Sequence, residues 1–487
     1  MDISVKKGKI FEQICDVLIL FIFQGSEHSD DFISTVLKEE KFKGKLCQSV
    51  LIRTDGKLPA KRVLVVGLGK KEEFDLQALR RASAAAYLTA KAIEPKTIAL
   101  EFFSAPNFNA KQVAQAVVES IRLSDYSFTK YKKENGNGKN KTQSFVFVTD
   151  DGRILRQAQQ GIEHGELAAR ATIFTRDLVN TPAQDMRPID LVESAKSIAK
   201  GNGAIRVRVF DKAQLEKMGA GGILGIAKGS DDPPYLVHLT YRPKKKTKKK
   251  IAIVGKGITF DSGGLSLKPA ASMFTMKIDM AGAADVLGLF SVIDEIAPAV
   301  EVHGIFAAVE HMPSGCAVRP GDILRAMNGK TMEILNTDAE GRVILADSLL
   351  YAVKQKPDMI IDLATLTGAC MVALGDEITG VLSNDAKLAN RVLTAAAGAE
   401  EKMWELPLEK NYKQFLKSDV ADLKNIGGKY GDVISAGLFL EEFVNKTPWA
   451  HLDIAGPCFA ERDFDEYTKK GATGHGVRTL IEFLKAF

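Results

Sequence analysis

Apolar and polar positions divide this chain into two stretches of different character. Across residues 1–155, short apolar runs alternate with longer, helix-like ones. Val17–Phe23, Val63–Val66, Thr97–Phe103 and Ser144–Val148 are strand-length apolar runs, and a stretch near Leu76–Ile93 has the spacing of a helix. That alternation predicts an α/β domain over 1–155. A helical segment from Arg153 to Arg176 follows, with 156–176 as the linker to a second domain at 177–487. The polar stretch Asn135–Lys141 reads as a flexible loop, and no internal repeat is present.

In the second stretch the pattern delivers chemistry at the ends of apolar runs. Ile251–Val254 begins as a buried strand and then breaks into glycines, so Lys256, Asp261 and Lys268 are expected on a loop at the strand end. Asp279 stands just before a helix whose apolar positions are Val286, Leu289, Phe290, Ile293 and Ile296. Residues 336–343 read Asn-Thr-Asp-Ala-Glu-Gly-Arg-Val. If that segment is extended, Asp338 and Glu340 face the same side. Ile344, Leu345, Leu349, Ala352 and Val353 then recur at helical spacing, which puts Arg342 near a helix N-terminus, a natural anion site.

Each acid taken alone reads as a cap or a solvated turn. Together they read differently. Lys256 lies within an apolar, glycine-flanked segment where an unpaired ammonium would be costly. Asp261, Asp279, Asp338 and Glu340 carry four negative charges, which two divalent cations would neutralise. Lys256 could join them as a neutral amine ligand, leaving Lys268 and Arg342 as cations for developing negative charge. This is the layout of a two-metal hydrolase, and its oxygen-rich donor set suits Mn, Mg or Zn.

Three segments carry a resemblance: Asn336-Thr-Asp-Ala-Glu-Gly-Arg342, Val254-Gly-Lys-Gly-Ile-Thr-Phe-Asp-Ser-Gly-Gly264 and Met276-Lys-Ile-Asp-Met-Ala-Gly-Ala-Ala284. With Arg176–Pro182, Arg319–Leu324, Asp362–Ala369, Trp449–Gly456 and Gly471–Gly474 they resemble the leucyl aminopeptidase (cytosol aminopeptidase) family over about residues 165–487. The resemblance implies an α/β fold, with a macro-domain-like N-terminal domain and a larger catalytic domain whose mixed β-sheet is covered by helices on both faces. It implies that Lys256, Asp261, Asp279 and Glu340 hold one metal, and that Asp261 and Glu340 bridge to a second held also by Asp338. Manganese or zinc is expected, with magnesium or cobalt as further possibilities. Lys268 would stabilise the oxyanion, and Arg342 would hold a bicarbonate acting as base toward a metal-bridged hydroxide. Met276, Thr365 and Leu366 would line the side-chain pocket. The activity implied is removal of neutral N-terminal residues, Leu preferred, from peptides with a free N-terminus by a homohexamer. The sequence departs from the family pattern at Val343, at His311 and over Ala183–Pro188; for His311, a hydrogen-bonded structural role is expected.

Composition sets limits. The chain has 487 residues, enough for two to four domains and a large core. Its five cysteines are scattered without Cys-x-x-Cys spacing, which reads as reduced core thiols in a cytoplasmic protein. The run Val17–Phe23 is too short to span a membrane, and no secretory signal is evident. The net charge of +5 and the basic run Arg242–Lys250 raise a DNA-binding alternative, although a solvated hairpin turn is the simpler reading of that run. Neither a phosphate-binding Gly-Lys-Ser/Thr loop nor His-Glu-x-x-His is present. A dinuclear phosphoesterase remains the chemical rival.

Overall fold

A computed structural model describes residues 1–103, 105, 107–133, 142–245 and 247–487. The stretch 135–141 lies outside the described residues. The chain divides into two compact units, Met1–Arg170 with Asp463–Lys469, and Ala171–Arg462 with Lys470–Phe487. A helix over Gly152–Asn180 runs from the first into the second.

The first unit is built on six strands: β1 (Asp2–Lys7), β2 (Val17–Ile22), β3 (Ser49–Arg53), β4 (Arg62–Gly67), β5 (Thr97–Glu101) and β6 (Ser144–Thr149). They pair in the order β1-β6-β5-β2-β4-β3, all parallel except β3. Both faces are covered, which is why the strands read as continuous apolar runs. Val17, Ile19, Leu64 and Val66 pack with the helices Leu76–Lys91 and Ala110–Asp125, whereas Leu18, Leu20, Val63 and Val65 pack with Ile33 and Leu37 of the helix Asp31–Glu39.

The second unit is a mixed sheet with helices on both faces. Its strands are β7 (Ile205–Phe210), β8 (Tyr235–Tyr241), β9 (Lys250–Asp261), β10 (Glu301–His311), and, beyond the short β11 (Ile323–Arg325) and β12 (Thr331–Glu333), β13 (Met359–Ala364), β14 (Thr379–Ser383), β15 (Met403–Glu405) and, after the two-residue β16 (Leu423–Lys424), β17 (Trp449–Asp453). The order is β15-β14-β17-β13-β9-β10-β8-β7, with the central four strands parallel. Ligands of such sheets bind beyond the carboxyl ends of the parallel strands.

Three local expectations change. β9 does not stop at Val254; it runs straight through Gly255 and Gly257 to Asp261, so Lys256 stands on a central strand and not on a loop. The glycines serve a close approach instead. A Cβ at Gly255 would lie 2.4 Å from the carbonyl oxygen of Gly282, and one at Gly282 would lie 2.0 Å from that of Leu363. The helix Ala281–Phe290 can therefore press its backbone onto β9 and β13. The basic run is not a hairpin turn, because β10 lies between β8 and β9, antiparallel to the first and parallel to the second. Two strands adjacent in sequence need not pair, and here Arg242 and Lys250 both face Glu301 at the start of the intervening strand, at 3.5 and 3.7 Å. Not all the cysteines are core thiols. Cys15, Cys370 and Cys458 are buried, Cys47 is half-buried and Cys316 is exposed.

A buried polar chain crosses β8 and β10. His238 Nδ1 lies 3.0 Å from the Tyr351 hydroxyl, and its Nε2 lies 2.9 Å from His303 Nδ1. Burial, reinforced by mutual repulsion and by Arg208, pushes His238 down to about 3; burial with Lys250 and Arg242 pushes His303 down to about 4. Below the ordinary value of 6.5 the unfolded chain takes up protons that the folded chain refuses. The contribution of the pair is therefore complete above that pH and is lost as pH falls toward their folded values. The thermal midpoint should drop between pH 6.5 and about 4, more shallowly in His303→Gln. Identical slopes in the two proteins would remove the pair from the acid response. Gly282→Ala should lower the midpoint at neutral pH by a cost of about 1–3 kcal/mol or more, the range for overpacking.

Candidate metal and active site

The candidate residues converge where β9 and β13 end. On β9, alternation sends Ala252 and Val254 into the core beneath the helix Glu340–Lys354. Lys256 continues that face, and its Nζ meets Asp279 Oδ1 at 2.8 Å, Glu340 Oε1 at 2.8 Å and the Thr365 carbonyl oxygen at 2.9 Å. Its path is open because residue 341 is glycine; a Cβ there would lie 2.5 Å from Lys256 Cε and 2.6 Å from Nζ. Asp338 and Glu340 are not on an extended segment as expected. Asp338 sits in a turn and Glu340 opens the helix, yet both reach the same cavity.

Beyond β9 the chain turns at Gly263 and Gly264, both at positive φ (+84° and +64°). This turn brings Lys268 back, with Nζ 2.9 Å from Asp261 Oδ2 and 2.6 Å from Asp338 Oδ1. His311, at the end of β10, donates from Nδ1 to Asp261 Oδ1 at 2.8 Å. That is a hydrogen-bonded position of the kind expected, and it stands beside the acids: ligand atoms of Asp261, His311 and Glu340 all lie within 4.8 Å of one another. Thr365 follows β13 and donates from its hydroxyl to Asp279 Oδ1 at 2.7 Å. Asp453, at the end of β17, steadies that segment by accepting from the Leu366 amide and the Thr367 hydroxyl.

The cluster is short of positive charge. Burial works against the Asp261 carboxylate, but the His311 hydrogen bond and the ammoniums of Lys268 and Lys256 hold its pKa below the usual carboxylate range. For Asp279, burial wins over Lys256 and pushes the pKa well up, aided by Glu340 and Asp261. Burial also raises Asp338. Desolvation would strip the proton from Lys256, yet the surrounding carboxylates raise its affinity above that of an ordinary lysine. Lys268 behaves the same way. Two carboxylate oxygens, Asp279 Oδ2 and Glu340 Oε2, are buried without a hydrogen-bond partner. A buried acceptor left unmade costs free energy and calls for a reason.

These groups line a cavity of about 460 Å³, whose other wall includes Met276, Ile278, Leu366, Met371 and Phe459. Thr365 lines it as well. Arg342 lines it too, but its terminal nitrogens are already engaged. Nη1 donates to the Asn425 carbonyl at 2.9 Å, and Asp432 lies 3.2–3.3 Å from Nη1 and Nη2. Neither Asn425 nor Asp432 was foreseen. They lie 83 and 90 residues from Arg342 in sequence and carry no ligand spacing that would single them out.

Residues 173–481 match the family model of the cytosol aminopeptidase catalytic domain, and 24–135 match that of its N-terminal domain. The chain belongs to the cytosol aminopeptidase family. It is 41% identical to a probable cytosol aminopeptidase of Alkaliphilus oremlandii, covering 100% of this chain and 99% of that one. A tomato leucine aminopeptidase mutant superposes with a TM-score of 0.89 at 36% identity, covering 100% of this chain and 97% of that one. The bottromycin maturation enzyme BotP in complex with Mn gives 0.86 at 35% identity, covering 97% and 99%. The chain is a peptidase with the two-domain α/β architecture of this family.

Gly341→Ala separates site from fold in this aminopeptidase-family protein. The crowded atoms are the flexible end of Lys256, so the fold can absorb the methyl by displacing that ammonium. Peptidase turnover should fall by roughly a hundredfold, the effect of about 1 Å of misplacement. The thermal midpoint should barely move. Full activity would show that Lys256 needs no fixed position.

Proposed function

We propose that this protein is a metal-dependent aminopeptidase that removes neutral N-terminal residues, bulky apolar ones such as Leu preferred, from peptides with a free N-terminus. The observation that carries this reading is the pair of unpartnered buried oxygens, Asp279 Oδ2 and Glu340 Oε2, in an acid cluster beside an apolar wall. Buried carboxylates of this kind are paired or coordinate metals. The donor set fits two divalent ions. Lys256, Asp261, Asp279 and Glu340 would hold one; Asp261, Asp338 and Glu340 would hold the other. Manganese or zinc suits these hard oxygens with one amine, and magnesium or cobalt would also be accepted. Bound there, the ions supply Lewis-acid polarisation and water activation.

The remaining work belongs to side chains. Lys268 is held by Asp261 and Asp338 at the cavity wall, so a scissile carbonyl placed beside it gains a cation as negative charge develops. Met276, Ile278, Leu366 and Met371 offer an apolar lining for the side chain of the first residue, with selectivity of about 1–3 kcal/mol per methylene. Thr365 positions Asp279 and accepts from Lys256, which keeps the ligands in register. A bicarbonate at Arg342 belongs to the same reading, and the buried Nε, which has no partner, is the donor left to receive it beside the nitrogens that meet Asp432. A homohexamer and a cytoplasmic location belong to the same reading through the family resemblance. No helix among the described residues is long and apolar enough to cross a membrane. The DNA-binding alternative rests on the basic run and the net charge of +5.

Chelator-stripped protein restored with single metals should hydrolyse Leu-p-nitroanilide and leave its N-acetyl derivative and a phosphodiester intact. Equal cleavage of the acetylated substrate would end the exopeptidase reading, and phosphodiester cleavage alone would favour the phosphoesterase. Glu340→Ala should lose both bound metal and activity. Lys268→Gln should keep its metal and lose roughly 10²–10³ in kcat, the effect of removing one oxyanion donor.

A further inference from the structure

Asn425 is fully buried and directly follows the two-residue strand β16. That strand runs parallel to β12, pairing Leu423 with Met332 and Lys424 with Glu333. The Asn425 amide adds one more backbone rung, to the Glu333 carbonyl at 2.9 Å. There the two backbones part, and the Asn425 side chain takes over the pairing. Its Oδ1 accepts from the Leu335 amide at 2.9 Å and from the Asn336 amide at 3.4 Å. Its Nδ2 donates to the Asn336 carbonyl at 2.7 Å and to the Ala339 carbonyl at 3.4 Å. A carboxamide offers two acceptor lone pairs and two donors, and all four are used here. Neither a carboxylate nor a hydroxyl can make that set.

The residues so gripped, Leu335 to Ala339, include Asp338 and lead straight into Glu340 at the start of the helix Glu340–Lys354. The Asn425 carbonyl also accepts from Arg342 Nη1 at 2.9 Å, which ties the same residue to the first turn of that helix. From the opposite side, the Thr337 hydroxyl donates to the Gly263 carbonyl at 2.6 Å and accepts from the Ser266 amide at 2.8 Å. Within the turn, the Asp338 amide bonds Asn336 Oδ1 at 2.9 Å and the Ala339 amide reaches the Asn336 carbonyl at 3.3 Å. Both of these bonds pass through Asn336, whose own backbone is fixed by Asn425.

We infer that Asn425 is the positioning residue that sets where Asp338 and Glu340 stand relative to Lys256 and Asp261. It acts through the turn and touches no reacting group. Lys256 and Asp261 are placed independently, by the sheet pairing of β9. Loss of Asn425 should therefore displace Asp338 first and leave β9 intact. The inference rests on the two-ion reading for its metal and activity arms only.

Asn425→Ala is compared with wild type and with Ser418→Ala. The control removes a 2.6 Å bond to Glu333 of β12 without touching residues 335–340. Hydrogen exchange of metal-free protein should speed up by roughly tenfold at the 335–339 amides of Asn425→Ala, the effect of losing one net hydrogen bond. Exchange along β9 should stay as in wild type, and Ser418→Ala should leave 335–339 protected. Calorimetry of stripped protein with manganese should find two ions in wild type. In Asn425→Ala one should bind as before and the other roughly 10–100-fold more weakly, the range for groups that orient metal ligands. Hydrolysis of Leu-p-nitroanilide should lose kcat by a similar factor, with KM little changed. If Asn425→Ala does not fold, Asn425→Asp keeps the size and the acceptor, loses both carbonyl bonds, and should show the same exchange pattern. Wild-type exchange at 335–339, or two ions bound as tightly as in wild type, overturns the inference. So does an equal loss of metal in Ser418→Ala. If wild type binds no manganese, the metal reading fails, and the exchange comparison still decides the role of Asn425.

Discussion

The close approach of one helix backbone to two strands sets the terms for everything else in the catalytic unit. Gly255 on β9 and Gly282 on the helix Ala281–Phe290 leave no side chain between them, and a Cβ on Gly282 would run into the Leu363 carbonyl of β13. A methyl at either position would force the layers apart. Because they are in contact, the turn before that helix carries Asp279 to within 2.8 Å of Lys256, and Thr365 beyond β13 can reach the same carboxylate. The chemistry of the site is thus a by-product of backbone packing that only glycine permits.

Electrostatics then explains why so many acids tolerate one another. Four carboxylates face two lysines, and the balance is uneven. Asp261 is strongly favoured as an anion by His311 and the ammoniums, whereas burial disfavours the charge on Asp279. Neighbouring acids pushed in opposite directions are a recurrent sign of a functional cluster. Arg342, on the same cavity wall, is paired with a carboxylate from a distant helix, Asp432.

Much of this was legible in the chain. Short apolar runs marked β2, β4, β5 and β6, and the acids at 261, 279, 338 and 340, singled out by charge counting and resemblance, line one cavity. What escaped had physical causes. Glycines at 255 and 257 look like a strand end, because sequence shows the missing side chain but not the helix that needs the space. The basic run looks like a hairpin because strand order is set by long-range pairing, here the insertion of β10. Asp338 and Glu340 share a cavity through a turn followed by a helix start, which two-residue spacing alone does not distinguish from a strand. Asp432 was invisible, since a single aspartate at a helix start is ordinarily just a favourable charge.

Lys256 stands on the central strand β9, flanked on both sides by parallel partners, and its contacts come from segments near 279, 340 and 365. None of those segments can meet until the sheet has closed around them. The charged centre therefore has no local precursor in a partly folded chain, and its assembly waits on contacts of high sequence separation. An ion held there would act as a keystone for the whole sheet, reporting on and reinforcing global closure rather than the order of any one loop.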